Sequence, residues 1–287
     1  MSRITELNEI IDEAISVIAK RVKARNNKMK EPDYTAALAV ELPALLKSKH
    51  FFPGVKVGGC FIHQRPKVTF SYSVDKTSCT RELGDLLVLI KKNVDGRDRF
   101  NAALIQIKKS DKKRLCISRT EELQQLELYT MWPKFTSNIS RLQYDVQPKT
   151  VNMGAQYVSI CNECLYVHIP QKNMNFASDF TFGRFLWNMM VWQDGRTISI
   201  EEEKNNEEWS RLIWDLINNT LNQKFTEKNA GYSKRERPRT SGEFFDFICD
   251  TTHKICLDEN SLEDENGMGI SMLYIDVTDM RNDDNEQ

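Results

Sequence analysis

The sequence predicts an α/β protein: a central mixed β-sheet flanked by helices, followed by a C-terminal α+β extension. Three observations carry that expectation. Ile4, Leu7, Ile11, Ala14, Ile15, Ile18 and Val22 recur at helical spacing near the N-terminus. Residues 85–90 and 102–108 are apolar runs on either side of an Asp95-Gly96 turn signal, the pattern of paired strands. A helix-patterned stretch, RTEELQQLELYTMW, then separates this pair from two more strand-like runs, GAQYVSI and CLYVHI. Strands interleaved with helices bury a sheet under helical layers.

In chain order, the N-terminal stripe predicts an amphipathic helix over 3–24, with Ile10 flanking it. RVKARNNKMKEP reads as a basic linker. Asp33 is suited to cap a second helix reaching about Lys47, in which Pro43 predicts a kink or early break. After Phe52-Pro53-Gly54, residues 55–63 and 67–74 predict a hairpin turned by Gln64-Arg65-Pro66. The pair at 85–90 and 102–108 follows, then the helix ending at Trp132-Pro133, a polar loop, and strands over 154–160 and 164–169. DFTFGRFLWNMMVWQDG and NEEWSRLIWDLINNTLNQKF predict helices. The Met- and Trp-rich spacing of the first suits core packing better than base stacking. GYSKRERPRTSG is an exposed basic loop, FFDFICDTT a further apolar segment, GISMLYIDV a late strand and RNDDNEQ a solvated tail. The expected division is 1–32 (helix and linker), 33–175 (sheet core) and 176–287 (a helical and α+β region packed on it).

Composition narrows the class. The 287 residues are 40% apolar and 28% charged, enough for a sizeable core in one large domain or two modest ones. A net charge of −1 means that any nucleic-acid-binding surface has to be local. The N-terminal helix carries acids within its apolar pattern, unlike a signal peptide, and no run of about 18 apolar residues suggests a membrane span. A cytoplasmic protein with reduced thiols is the expectation, since the seven cysteines are odd in number. Cys161 and Cys164 could join Cys249, His253 and Cys256 at a zinc ion. Their flanks, YVSI and LYVHI, favour a plain strand turn.

Polar residues inside the apolar runs carry the chemistry. Asp85 opens one strand, and Gln106 and Lys108 lie two apart on the other, on one face, with Ile107 turned away. Glu41 is an acid within the apolar helix segment AALAVELPALL. Burying such groups unpaired is costly, so each needs a partner or a metal. Magnesium takes hard oxygen ligands, one or two carboxylates with water and substrate phosphate. Asp85, the Gln106 amide oxygen and Glu41 could supply them. Lys108 could then steady charge that develops on a phosphate. The bland alternative is a sheet end with an Asp85–Lys108 salt bridge and a half-exposed Gln106.

This order resembles the PD-(D/E)xK nuclease superfamily, whose core runs helix, three strands, helix, strand. Its signature acids and lysine would correspond to Glu41, Gly84-Asp85 and Gln106-Ile107-Lys108, over roughly residues 33–160. Gln106 stands where Asp or Glu is usual, as in the Gln-x-Lys variants of Mrr-like restriction endonucleases and bacterial defence proteins. Gln124 and Gln125 on the following helix are compatible with that branch. The resemblance implies a restriction-endonuclease-like core, a Mg²⁺ or Mn²⁺ cofactor and hydrolysis of DNA, with RNA left open as the alternative substrate, in restriction or antiviral defence. It also implies a homodimer to cut both strands, and partner proteins of a defence system. Lys109, Lys112, Lys113 and Arg114, with Lys23, Arg25, Lys28, Lys30 and the loop Lys234–Arg239, are the candidate phosphate contacts. Two other classes compete. One is a non-catalytic member of the same fold that binds nucleic acid or protein; the other is a zinc-stabilised interaction protein. No G-x-S-x-G supports a serine hydrolase.

Overall fold

Helix α1 (Arg3–Ala24) starts at Ser2, whose hydroxyl accepts the Thr5 N–H at 3.3 Å. It buries Leu7, Ile10, Ile11, Ala14, Ile15, Ile18 and Val22, the expected stripe with Ile10 added and Ile4 left at its border. The computed structural model describes residues 2–51, 53–62, 66–110, 113–162, 164–171, 175–221, 240–250 and 269–280. The second helix is continuous but changes its winding: α2 (Glu31–Ala36) runs through a π-turn (Ala37–Glu41) into α3 (Leu42–Ser48). Pro43 explains this. It has no N–H, and its ring would strike the Ala39 carbonyl in a regular helix, so the chain widens by one residue instead of breaking. Asp33 accepts the Lys30 N–H at 2.7 Å, and the helix therefore begins earlier than expected, at Glu31.

Strands follow as β1 (Lys56–Cys60), β2 (Lys67–Ser71), β3 (Ser78–Glu82), β4 (Leu86–Val94), β5 (Arg97–Lys109) and β6 (Arg114–Cys116). Helix α4 (Thr120–Met131) leads to β7 (Phe135–Ser137), β8 (Gln143–Tyr144), β9 (Ala155–Cys161), β10 (Cys164–His168) and β11 (Asn175–Ala177). The chain continues with α5 (Phe182–Met190), β12 (Arg196–Ile198), a 3₁₀ helix (Glu201–Asn206), α6 (Glu208–Leu221), α7 (Ser241–Asp250) and β13 (Ser271–Asp276).

Seven strands make a mixed central sheet in the order β1-β13-β4-β5-β9-β10, with β12 also beside β5. β4 and β5 form the expected antiparallel hairpin, turned by Asp95 and Gly96, both at positive φ as a tight primed turn requires. After α4, β9 returns parallel to β5, and β10 folds back antiparallel on β9. One face of the sheet packs on α1, the helix interrupted by the π-turn, and α5. The other packs on α4, α6, α7 and a four-stranded sheet, β3-β2-β7-β8. Among the described residues, no helix is long and apolar enough to cross a membrane.

Two expectations need correction. β1 and β2 are not a hairpin; β1 pairs with β13 in the central sheet, and β2 pairs with β3 and β7 in the small one. Gly58 and Gly59 are the reason for β1's position. A methyl group at Gly59 would lie 2.1 Å from the Ala39 carbonyl oxygen, and one at Gly58 2.5 Å from that of Ile248, so helical backbone closes on both faces of β1. The C-terminal region is also more than an extension. β13 lies inside the sheet between β1 and β4, parallel to β4 and buried along its length. The 64–65 turn, the 234–239 loop and the 281–287 tail lie outside the described residues.

Candidate active site

Strand β5 outruns its neighbour. The last β4–β5 pair is Leu86 with Ile105, which leaves the β4-facing edge of residues 106–109 beyond the end of that ladder. Two carboxylates continue it. Asp85 Oδ2 accepts the Ile107 N–H at 2.5 Å, and Glu31 Oε1 accepts the Lys109 N–H at 3.1 Å. Those N–H groups are two residues apart on an extended strand, so the carboxylates stand about 7 Å apart along it. Asp85 is anchored through its own N–H to the Ile105 carbonyl at 2.8 Å.

The Gln106 side chain lies against Asp85, its Nε2 donating to Oδ2 at 2.7 Å. Both residues are buried, at 2% exposure for Asp85 and 1% for Gln106, so Gln106 is not the half-exposed residue of the bland alternative. Its Oε1 is buried with no hydrogen-bond partner among the described residues. Lys108 is half-buried, with Nζ 4.0 Å from Glu31 Oε2. Helix α4 fixes the segment that leads into Asp85. Gln125 donates to the Glu82 carbonyl and the Tyr129 hydroxyl to that of Leu83, each at 2.7 Å. Gln124 is buried against Arg81, to which its amide oxygen is hydrogen-bonded.

The polar face continues onto β9. Tyr157 is the register partner of Gln106, and Ser159 that of Lys108. Tyr157 is fully buried, its ring 5.3 Å from that of Tyr129, and its hydroxyl has no hydrogen-bond partner among the described residues. Burial raises both phenol pKa values, and neighbouring groups add to it: Glu122 and Asp85 for Tyr157, and the Tyr157 phenol, Asp85 and Glu82 for Tyr129. Ser159 Oγ lies 2.7 Å from His168 Nε2. Burial lowers the His168 pKa to about 4, so the imidazole is neutral at neutral pH.

Of the expected residues, Asp85, Gln106 and Lys108 come together at the end of the β4–β5 hairpin, and Glu41 does not join them. The π-turn that carries Glu41 lies over β1 and β13, and its carboxylate is ion-paired with Arg21 of α1. Glu31 is the helix acid that reaches β5. Lys109 at the end of β5 and Lys113 and Arg114 just after it are exposed, with Lys113 paired to Asp179 at 3.2 Å and set over the Tyr166 ring; Lys112 lies outside the described residues. Cys161 and Cys164 are register partners closing the β9–β10 hairpin, as a strand turn requires. Cys249 lies on α7, its thiol pushed up to about 12 by burial, while His253 and Cys256 lie outside the described residues. Among the described residues no three His, Cys, Asp or Glu side chains form a group that could hold a metal ion.

Glu31, Tyr157, Ser159 and His168 were not singled out from sequence. Glu31 carried one signal, an acid before a helix-starting proline at the end of the basic linker. Tyr157 and Ser159 carried another, the same two-residue spacing as Gln106 and Lys108 in a strand expected nearby. No protein-family model, curated protein or solved structure matches the chain. What the site can do has to be read from its own chemistry.

Proposed function

We propose that the protein is a metal-dependent nuclease with a core of the PD-(D/E)xK kind, hydrolysing phosphodiester bonds in DNA in a restriction or antiviral-defence setting. The observation that carries this reading is the strand end itself: Asp85 hydrogen-bonded to Gln106 and Ile107, with Lys108 next along the strand beside a second carboxylate, Glu31. The order of hairpin, crossover helix and parallel strand (β4, β5, α4, β9) supports it, although β13 takes the place beside β4.

Asp85 offers hard carboxylate oxygens of the kind Mg²⁺ or Mn²⁺ takes; Gln106 could add its amide oxygen only with the amide turned from Asp85, and Glu31, about 7 Å along the strand, could join only through a water, with solvent and substrate phosphate completing the shell. A cation there would draw charge from a phosphate oxygen and make an attacking water more acidic. The protein's own contribution is positional. β5 holds Gln106 and Lys108 on one face, α4 fixes the approach to Asp85, and Glu31 keeps the Lys108 ammonium at the lip of the site. There Lys108 stabilises negative charge developing on a phosphate. Lys28 and Lys30 lead directly into Glu31, and Lys109 ends β5 with Lys113 and Arg114 following it, so basic segments distant in sequence border one site.

The test is plasmid cleavage with Mg²⁺ or Mn²⁺. Lys108→Ala and Asp85→Asn are each expected to slow it by at least about 10²-fold, the scale of losing a charge-stabilising group. Asn is used because it keeps an acceptor for the β5 donors. Parental rates in both variants would remove the assignment. A non-catalytic binding protein is the second reading, favoured by the Gln106 amide already donating to Asp85. In that case nucleic acid is retained equally with and without EDTA, and nothing is cut.

A further inference from the structure

Cys161 and Cys164 are the pair that closes the β9–β10 hairpin, separated in sequence by Asn162 and Glu163. Facing residues on antiparallel strands put their side chains on one side of the sheet, so the two thiols are neighbours. Both are free, Cys161 buried at 6% exposure and Cys164 half-buried. Facing Cα atoms lie about 4.5 or 5.5 Å apart according to the type of pair, and both spacings fall within the range that a disulfide spans. The Cβ atoms fit less well. They stand about 4.5–5.5 Å apart in such a pair, against about 3.8 Å across a relaxed disulfide. A bond here has to draw the strands together, and strain of that kind makes a disulfide easy to reduce. The hairpin tip also sits against the segment that follows β5. The Ser110 N–H donates to the Ile160 carbonyl at 3.0 Å, and Lys113 lies over the ring of Tyr166, the register partner of Ser159. Burial, the Asp12 carboxylate and the Cys161 thiol raise the Cys164 pKa, while the Tyr166 hydroxyl and the Lys113 ammonium offset part of the rise. Such a thiol is mostly protonated at neutral pH and exchanges slowly.

We propose that Cys161 and Cys164 form a reversible disulfide by exchange with a small-molecule disulfide of the glutathione type. Cys164, the more accessible thiol, loses its proton to solvent and attacks one sulfur of the small disulfide. That S–S bond breaks; one half leaves as a thiolate and the other stays on Cys164 as a mixed disulfide. Cys161 then loses its proton and attacks the Cys164 sulfur, which expels the second half as a thiolate. Both leaving thiolates take up a proton from solvent. Two protein thiols thus become one disulfide while one small disulfide becomes two thiols. The two steps ask different things of the two residues: Cys164 must be reachable from solvent, and Cys161 only from Cys164. Their exposures divide in that way. Under reducing conditions the strained bond opens again, which makes it a transient modification rather than a structural staple. The exchange involves no cation and is independent of Asp85 and Gln106.

The test is exposure of three folded, full-length proteins (the parent, Cys161→Ser and Cys164→Ser) to oxidised glutathione, followed by alkylation of free thiols and peptide mass mapping. In the parent, the peptide that holds both cysteines is expected to lose two hydrogens and to regain them in excess reduced glutathione. In Cys161→Ser, Cys164 is expected to keep one glutathione, because the second attack has no nucleophile. In Cys164→Ser, Cys161 is expected to stay free, since burial shields it from the small disulfide. Free thiols at both positions of the parent overturn the proposal. So does glutathione that persists on the parent's Cys164, or a bond from Cys164 to any cysteine other than Cys161. A Cys161–Cys164 bond that resists reduced glutathione overturns its reversibility. Should either serine variant not fold, phenylarsine oxide on the parent decides. Its trivalent arsenic bridges two neighbouring thiols, so Cys161 and Cys164 are expected to be protected from alkylation together. Alkylation of either one in the arsenical-treated parent overturns the pairing.

Discussion

Glu31 and Glu41 lie on one helical run, yet only Glu31 reaches β5. Glu31 accepts the Lys109 N–H and stands beside Lys108, whereas Glu41 is held by Arg21. The two should therefore separate experimentally. Glu31→Gln is expected to lower metal-dependent cleavage at least about ten-fold, the smaller end of the loss from a charged active-site group. Glu41→Gln should leave cleavage within about two-fold and reduce stability by less than about 1 kcal/mol, since the Arg21 side of its pair is well exposed. Parallel cleavage assays and urea melts of both variants check this, and the reverse result would return Glu41 to the site. Asp85, Gln106 and Lys108 were legible in the sequence because a polar residue in an otherwise buried strand has few uses, and alternation fixes which side chains are neighbours. The helix acid was not legible for a matching reason. The π-turn inserts one residue, turning everything after it by roughly 100° relative to a regular helix, and no local pattern reports how such a helix docks.

At the scale of elements, β1 is the piece whose position depends most on its smallest residues. Backbone of the π-turn closes on one face at Gly59, and that of α7 closes on the other at Gly58. Gly59→Ala is expected to destabilise the protein by at least about 3 kcal/mol, because carbonyl oxygens of Ala39 and Met272 both crowd the added methyl and cannot swing away as a side-chain tip would. A thermal melt showing the parental Tm would mean that the π-turn and β1 separate easily. Gly96→Ala makes a useful contrast, for a methyl there meets no atom, leaving only the strain of its positive φ. Helices α1, α4, α5 and α6 were legible as local periodicity, and the β4–β5 hairpin as two runs around Asp95-Gly96. The partners of β1 and β2 were not. Two extended runs joined by a short polar turn suggest a hairpin, but β1 pairs with a strand more than 200 residues away, a contact that no nearby signal encodes.

The whole molecule couples its two ends through one sheet, and its acid stability follows a buried residue of that sheet. His168 on β10 is 1% exposed and neutral, with a folded-state pKa of about 4 against an ordinary 6.5. The unfolded chain binds a proton there before the folded one does, so His168's contribution is complete above about pH 6.5 and is lost as pH falls towards 4. His168→Gln should flatten that limb in urea melts between pH 4 and 7, and an unchanged slope would place the acid sensitivity elsewhere. The larger dependence is on β13. It pairs parallel with β4 and antiparallel with β1, so it separates the hairpin that carries Asp85 and Gln106 from the strand that receives the π-turn. All of its residues are buried, and Met272, Leu273, Tyr274 and Ile275 contribute to both cores. A fragment of residues 33–175, a self-contained core by sequence, lacks β13, the α1 stripe and Glu31. It would expose one edge of β4 along with the apolar face that α1 and α5 cover. The fragment is therefore expected to show no cooperative melt by circular dichroism and to bind a dye for exposed apolar surface, whereas the full chain melts in one transition. A cooperative transition in the fragment would mean that β4, β5 and β9 hold their register alone. The C-terminal strand would then be a reinforcement of the site's sheet rather than a condition for it.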